Sequence, residues 1–141
     1  LDVVELVGRL LYAAIFLISP SYVIAQAPKV AGMPALRALP RPLAVNAIRV
    51  SCLEAMVGAV LIALGLWPDL GALLVLAFLV PVTLTMHRFW ELEKGLPRKQ
   101  RQDQFLANAA LAGAALLLLA AVNQAQHVPL AVVAHPLIHR L

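Results

Sequence analysis

The sequence predicts an all-α integral membrane protein, a bundle of four transmembrane helices, and three observations predict it. The first is composition. Of 141 residues, 62% are hydrophobic and only 13% are charged, with a mean hydropathy of +0.89; a soluble domain has about 45–50% apolar and about 25% charged residues. That much apolar surface cannot be hidden in a soluble core of this size and needs lipid. The second is a set of four apolar runs, each close to the ~20 residues that cross a bilayer. The third is charge placement: nine of the eleven Lys and Arg residues lie on, or at the edges of, two connections.

The runs cover about 3–25, 45–66, 70–90 and 105–123 of one membrane domain spanning the chain. They are rich in Leu, Ala and Gly, without the ten-residue alternation of a barrel, and in lipid only a helix or a closed barrel satisfies its own backbone hydrogen bonds. The front resembles a cleavable leader, with Ala25-Gln26-Ala27 as a small-residue site. Asp2 and Glu5 stand where such a leader is basic, and Pro28 follows the site, so the first run reads as a true span. The connection 26–44 carries Pro28, Pro34, Pro40 and Pro42, which forbid a long helix, and a short interfacial helix near 35–39 is expected. Trp67-Pro68-Asp69 is long enough only for a tight hairpin between the second and third runs. The second long connection is 91–104, and the tail is 124–141. The tail's apolar patch, 128–134, is too short to span and is expected on the outer surface or against a neighbour.

Orientation follows from Lys and Arg. Lys29, Arg37, Arg41 and Arg49 mark the first long connection; Arg88, Lys94, Arg98, Lys99 and Arg101 mark the second. Only Arg9 and Arg140 fall on the opposite side. Both connections should therefore face the cytoplasm and both termini the outside. Arg37, Arg41, Arg98, Lys99 and Arg101 are expected to meet anionic headgroups or an acidic partner subunit. Nucleic acid is not an expected partner, because these loops lack basic residues interleaved with stacking aromatics.

The absences narrow the chemistry. Cys52 is the single cysteine, which excludes an intrachain disulfide, a Cys-x-x-Cys redox pair and a c-type haem site. There is no phosphate-binding glycine loop and no nucleophile elbow, so a stand-alone hydrolase or kinase is excluded as a reading. His135 and His139 stand four apart, but Pro136 between them spoils the helix that would present both to zinc, so no metal site is expected. Glu5 and Arg9, four apart near the outer end, read as a structural ion pair.

Glu54 is the most informative polar residue. It lies about two turns inside the second run, where an unpaired charge costs several kcal/mol. It either lines a site or bonds another helix, and Gly58 and Gly65 on its stripe allow that helix close. Matching depth at ~1.5 Å per residue places Ser19, Thr83, His87 and Asn108 around Glu54 or on its cytoplasmic side. Thr83 and His87 share one helix face, and Gln104 and Asn108 another. A polar ligand pocket of Glu54, Thr83, His87, Asn108 and Ser19 is therefore expected, against the plainer reading of interface residues at helix ends. A lone His such as His87 can make a structural hydrogen bond, ligate a haem or pigment, relay protons or bond a quinone carbonyl. Pro81 should kink the third helix and free a carbonyl.

Several ordered segments resemble the DoxX family of small four-helix bacterial membrane proteins. They are Gly8-Arg9-Leu10-Leu11 and Ile15-Phe16-Leu17; Glu54-Ala55-Met56-Val57-Gly58-Ala59-Val60-Leu61 with Leu64-Gly65-Leu66; Met86-His87-Arg88-Phe89-Trp90; and Asp103-Gln104-Phe105-Leu106-Ala107-Asn108. The resemblance extends over nearly the whole chain. One departure is Ser19-Pro20, where family members commonly carry a His-Gly or similar pair. The resemblance implies a bacterial inner-membrane location and a quinone-linked oxidoreductase complex, relatives being linked to thiosulfate:quinone oxidoreductase or to membrane-associated oxidoreductase complexes. No cofactor motif is encoded, so the implied group is a bound quinone, or a lipid, and the electron donor a partner. A structural accessory subunit of a respiratory or photosynthetic assembly is the alternative. A solute or proton carrier fits least, because no inverted repeat is present.

Overall fold

The computed structural model describes residues 2–124, without the side chain of Asp2; the tail patch 128–134, His135, His139 and Arg140 lie outside the described residues. The described chain is helical: α1 (Asp2–Ala25), α2 (Ala27–Val30), α3 (Arg41–Leu64), α4 (Pro68–Met86) and α5 (Leu96–Gln124), with single 3-10 turns at Pro34–Leu36 and Phe89–Glu91. Four of these helices are long and apolar enough to cross a membrane. The protein is an all-α, multi-pass membrane protein.

Two helices start earlier than their apolar runs, for one physical reason: hydropathy marks the lipid-immersed part of a helix, not its ends. α3 starts at Arg41 rather than near 45, with Pro42 in its first turn, where a missing N–H costs no hydrogen bond. α5 starts at Leu96 rather than near 105. Its polar first turns are true helix, tied by the i, i+4 pair Lys99–Asp103 at 2.5 Å. Gly95, at φ 150°, ends the preceding connection. The first long connection holds two short pieces, α2 and the turn Pro34–Leu36, and Arg41 clips it by donating to the Pro28 carbonyl at 3.4 Å.

The helices pack in the order α1–α3–α4–α5. α3 is central. Ala44, Ile48, Cys52, Ala55, Ala59 and Ile62 are buried along one stripe at spacings of three and four. Against this stripe sit Ala13 and Phe16 of α1 and Val75 and Leu79 of α4. In lipid, water expulsion does not drive helices together, so close van der Waals packing over small residues does. The alanines serve this along α3. At the α3–α4 crossing Gly58 and Gly71 do so more sharply, since a Cβ on either would stand 2.8 Å from the other's carbonyl oxygen.

The α3–α4 hairpin is fixed locally. Gly65, at φ 68°, ends α3, with the Leu66 amide donating to the Leu61 carbonyl at 3.0 Å, the left-handed cap that glycine adopts without strain. α5 packs mainly on α4 through Ala72, Ala115 and Leu119. It reaches α1 where the Tyr12 hydroxyl donates to the Leu111 carbonyl at 2.9 Å. Large apolar side chains such as Leu11, Ile18, Val50, Leu64 and Leu117 face outward, as an exterior solvated by lipid requires. One end of the bundle carries both long connections and their basic residues. The other carries the hairpin, the start of α1 and the described end of α5.

Candidate functional site

The polar centre of the bundle lies at its basic end, between the end of α4 and the first turns of α5. α4 stops at Met86, and His87 leaves the helix at φ −112°, ψ 38°. The chain then breaks through Arg88, the turn Phe89–Glu91 and an extended Leu92 before α5 begins. Two arginines serve the carbonyls this break exposes. The Arg88 Nε donates to the Leu84 carbonyl at 2.9 Å, and the Arg101 guanidinium donates to the Met86 carbonyl. Cations at a helix C-terminus also complement its dipole.

A groove of about 330 Å³ results, lined by His87, Leu92, Pro97, Gln100, Arg101 and Gln104. That volume falls within the ~300–1,000 Å³ of small-molecule sites. His87 is half-buried, and its Nδ1 is shielded without a hydrogen-bond partner among the described residues. A buried ring nitrogen left so lacks the hydrogen bond that such groups normally make. From the groove a chain of side-chain hydrogen bonds runs inward. The Gln104 Nε2 donates to the Asn108 Oδ1 at 3.2 Å, and the Asn108 Nδ2 donates to the Thr83 Oγ1 at 3.1 Å. Thr83 and Asn108 are buried at 8% and 7% exposure, so both need these bonds. The groove thus offers a cation, an imidazole and amide groups within an apolar wall, a set suited to a neutral carbonyl or an anionic headgroup.

The structure assembles only part of the pocket that the sequence predicts. Thr83, His87 and Asn108 come together here, joined by Gln100, Arg101 and Gln104. Ser19 does not: it is exposed on the outside of α1, whose turn instead buries its neighbour Pro20. Glu54 does not either. Since Gly58 faces Gly71, Glu54 is level with Val75, and Thr83 lies about 12 Å farther along the bundle at 1.5 Å per residue. Glu54 is half-buried on the flank of α3, between the core stripe and the lipid-facing stripe of Val50, Leu53 and Val57. It makes no hydrogen bond or ion pair among the described residues. Depth matching alone set these residues together; the register of the glycine crossing separates them.

The basic residues also divide. Arg37, Arg41 and Lys99 are exposed, and Arg98 is half-buried with a 3.4 Å hydrogen bond to the Leu92 carbonyl. Arg101 is turned inward as the cap of α4, because it stands on the face of α5 that meets the end of α4. The sequence did carry a signal for it. Once 96–104 is helical, Arg101, Gln104 and Asn108 follow at spacings of three and four on one face. Pro81 lies inside α4, and the Thr85 hydroxyl one turn on donates to the Pro81 carbonyl at 2.6 Å.

Among protein families, the DoxX model matches residues 4–88. That stretch runs from α1 to the end of α4 and so contains Thr83 and His87, while α5, which supplies Arg101, Gln104 and Asn108, lies beyond it. The match is shorter than the near-full-length resemblance read from the sequence. No curated protein and no solved structure matches the chain.

Proposed function

The chain belongs to the DoxX family of membrane proteins, and from that membership we propose that it is a quinone-linked membrane subunit of an oxidoreductase complex in the bacterial inner membrane. Its basic end faces the cytoplasm in this reading, and the groove beside His87 receives the quinone headgroup. The observation that carries the reading is His87, whose Nδ1 has no hydrogen-bond partner among the described residues, lining one groove with Arg101 and Gln104. A quinone carbonyl accepts hydrogen bonds, and the imidazole, amide and guanidinium N–H groups donate them. The isoprenoid tail then lies along the apolar exterior. The chain encodes no electron carrier of its own, so the electrons come from a partner. The exposed Arg37, Arg41 and Lys99 supply a docking face for it.

Glu54 keeps a place in this reading, but not in the groove. An ionisable residue near the middle of a transmembrane helix usually meets a polar group, and this one faces the flank. It is suited to a group from outside the chain, such as a polar residue on a partner's helix.

Purification of the full chain in mild detergent from its native membrane tests the proposal. The expected result is about one quinone per protein, recovered with soluble partner subunits, and loss of the quinone but not the partners on His87→Leu. Partners recovered without quinone would favour the accessory-subunit reading. Quinone retained equally by His87→Leu would remove the groove from the account.

A further inference from the structure

At the opposite end of the bundle, a second polar group keeps hydrogen-bond donors unused among the described residues. Arg9 lies about two turns into α1, level with the hairpin, because its guanidinium packs directly over Gly65, where even a Cβ would collide with it. Its side chain is only 17% exposed. A guanidinium has five N–H donors, yet Arg9 donates no hydrogen bond among the described residues, and its Nε is fully shielded. Glu5 stands 3.6 Å from Nη1, beyond hydrogen-bond length, and is 44% exposed. Asp69, another acid at this end, is buried in the first turn of α4. The ion pair read from the Glu5–Arg9 spacing therefore exists but leaves most of the cation's donors unused.

The donors border a crevice. A cavity of about 170 Å³ opens beside Arg9, lined by Gly8, Arg9, Tyr12, Ile62, Ala114 and Leu118. α1 and α5 meet at Tyr12 and Leu111, and Gly8 leaves open space where a side chain would stand. Apart from Arg9 and the Tyr12 hydroxyl, its walls among the described residues are apolar. At ~30 Å³ per water-sized group, it holds an oxyanion and the first carbons of a chain, not a whole lipid. Its position, where α3 ends and α4 begins, is at one end of the helices long and apolar enough to cross a membrane.

We propose that this crevice binds an anionic amphiphile of the bilayer, with its carboxylate or phosphate seated on Arg9 and its chain leaving between α1 and α5. The site is separate from the His87 groove, at the other end of the bundle, and stands whether or not that groove takes quinone. A neutral or zwitterionic amphiphile would not compensate the cation. A free anion would leave the apolar walls unfilled.

Native mass spectrometry of the delipidated full chain in detergent tests this with four probes: palmitate, phosphatidylglycerol, phosphatidylcholine and inorganic phosphate. Palmitate or phosphatidylglycerol should bind one to one and at least tenfold more tightly than phosphatidylcholine, and the stronger of the two identifies the headgroup. Arg9→Gln should lose that binding. Gly8→Leu, which fills the crevice and leaves the charge in place, should lose it too, and it decides the matter if Arg9→Gln does not fold. Equal retention of phosphatidylcholine, displacement of the amphiphile by equimolar inorganic phosphate, or unchanged binding by Gly8→Leu would each overturn the proposal.

Discussion

Asn108 and Thr83 hold α4 and α5 together deep in the basic end through a buried 3.1 Å bond. Asn108→Leu leaves the Thr83 hydroxyl without its donor and frees the Gln104 amide. Combined with Thr83→Val in a double-mutant cycle, it should give a coupling of about 0.5–2 kcal/mol, the range for interhelical hydrogen bonds in membranes, read from thermal unfolding in detergent. Additive effects would mean that the bond adds nothing to helix association. Glu54 should behave differently. Its half-buried carboxylate has no partner among the described residues, so Glu54→Gln and Glu54→Leu should leave the isolated chain's unfolding temperature nearly unchanged. Glu54→Leu should instead reduce recovery of partner subunits. A large loss of stability in the isolated chain would assign Glu54 to the bundle interior. At this scale the sequence made Thr83, His87 and Asn108 legible, because polar residues in an apolar run stand out. It misplaced Ser19 and Glu54, because residue spacing reports depth and face on one helix but not which face meets a neighbour.

Among the elements, the α3–α4 pair and α5 show opposite uses of glycine. A Cβ at Gly58 would meet the Gly71 carbonyl oxygen at 2.8 Å, a backbone atom that cannot move aside, whereas a Cβ at Gly113 meets nothing. Gly58→Ala should therefore destabilise the bundle by about 1–3 kcal/mol, as overpacking does. Gly113→Ala should be neutral or stabilising by up to about 1 kcal/mol through helix propensity. Thermal unfolding of both variants checks this, and similar losses in the two would place the close approach elsewhere. The polar start of α5 is the element that the sequence obscured most. A hydropathy window ends where charge begins, so Leu96–Gln104 reads as loop although Lys99–Asp103 and Gln104–Asn108 have helical spacing. That error turned Arg101 from a helix cap into a supposed surface contact. The four spans themselves were legible throughout, because in lipid an apolar run of that length has only one way to satisfy its backbone.

For the whole molecule, the two ends are chemically distinct. The basic end holds both long connections, a groove and a buried hydrogen-bond chain; the hairpin end holds, among the described residues, one shielded arginine over a crevice. A cytoplasm-active reporter placed at Lys94 should be active, and the same reporter after Gln124 inactive, if the basic end faces the cytoplasm; the reverse pattern would invert the proposed orientation. The central claim, that the basic-end groove receives a quinone headgroup, has a reporter already in place. The chain has two tryptophans, Trp67 in the hairpin and Trp90 in the turn beside the groove. Trp90 also packs edge-on against Phe89 and Phe105 at ring separations of 5.3 and 5.9 Å. In a Trp67→Phe protein, titration with a short-chain quinone should quench Trp90 fluorescence saturably, and His87→Leu in the same background should abolish the saturable part. Linear quenching that His87→Leu leaves unchanged would mean that quinone meets Trp90 only by collision in the micelle, and would contradict the claim.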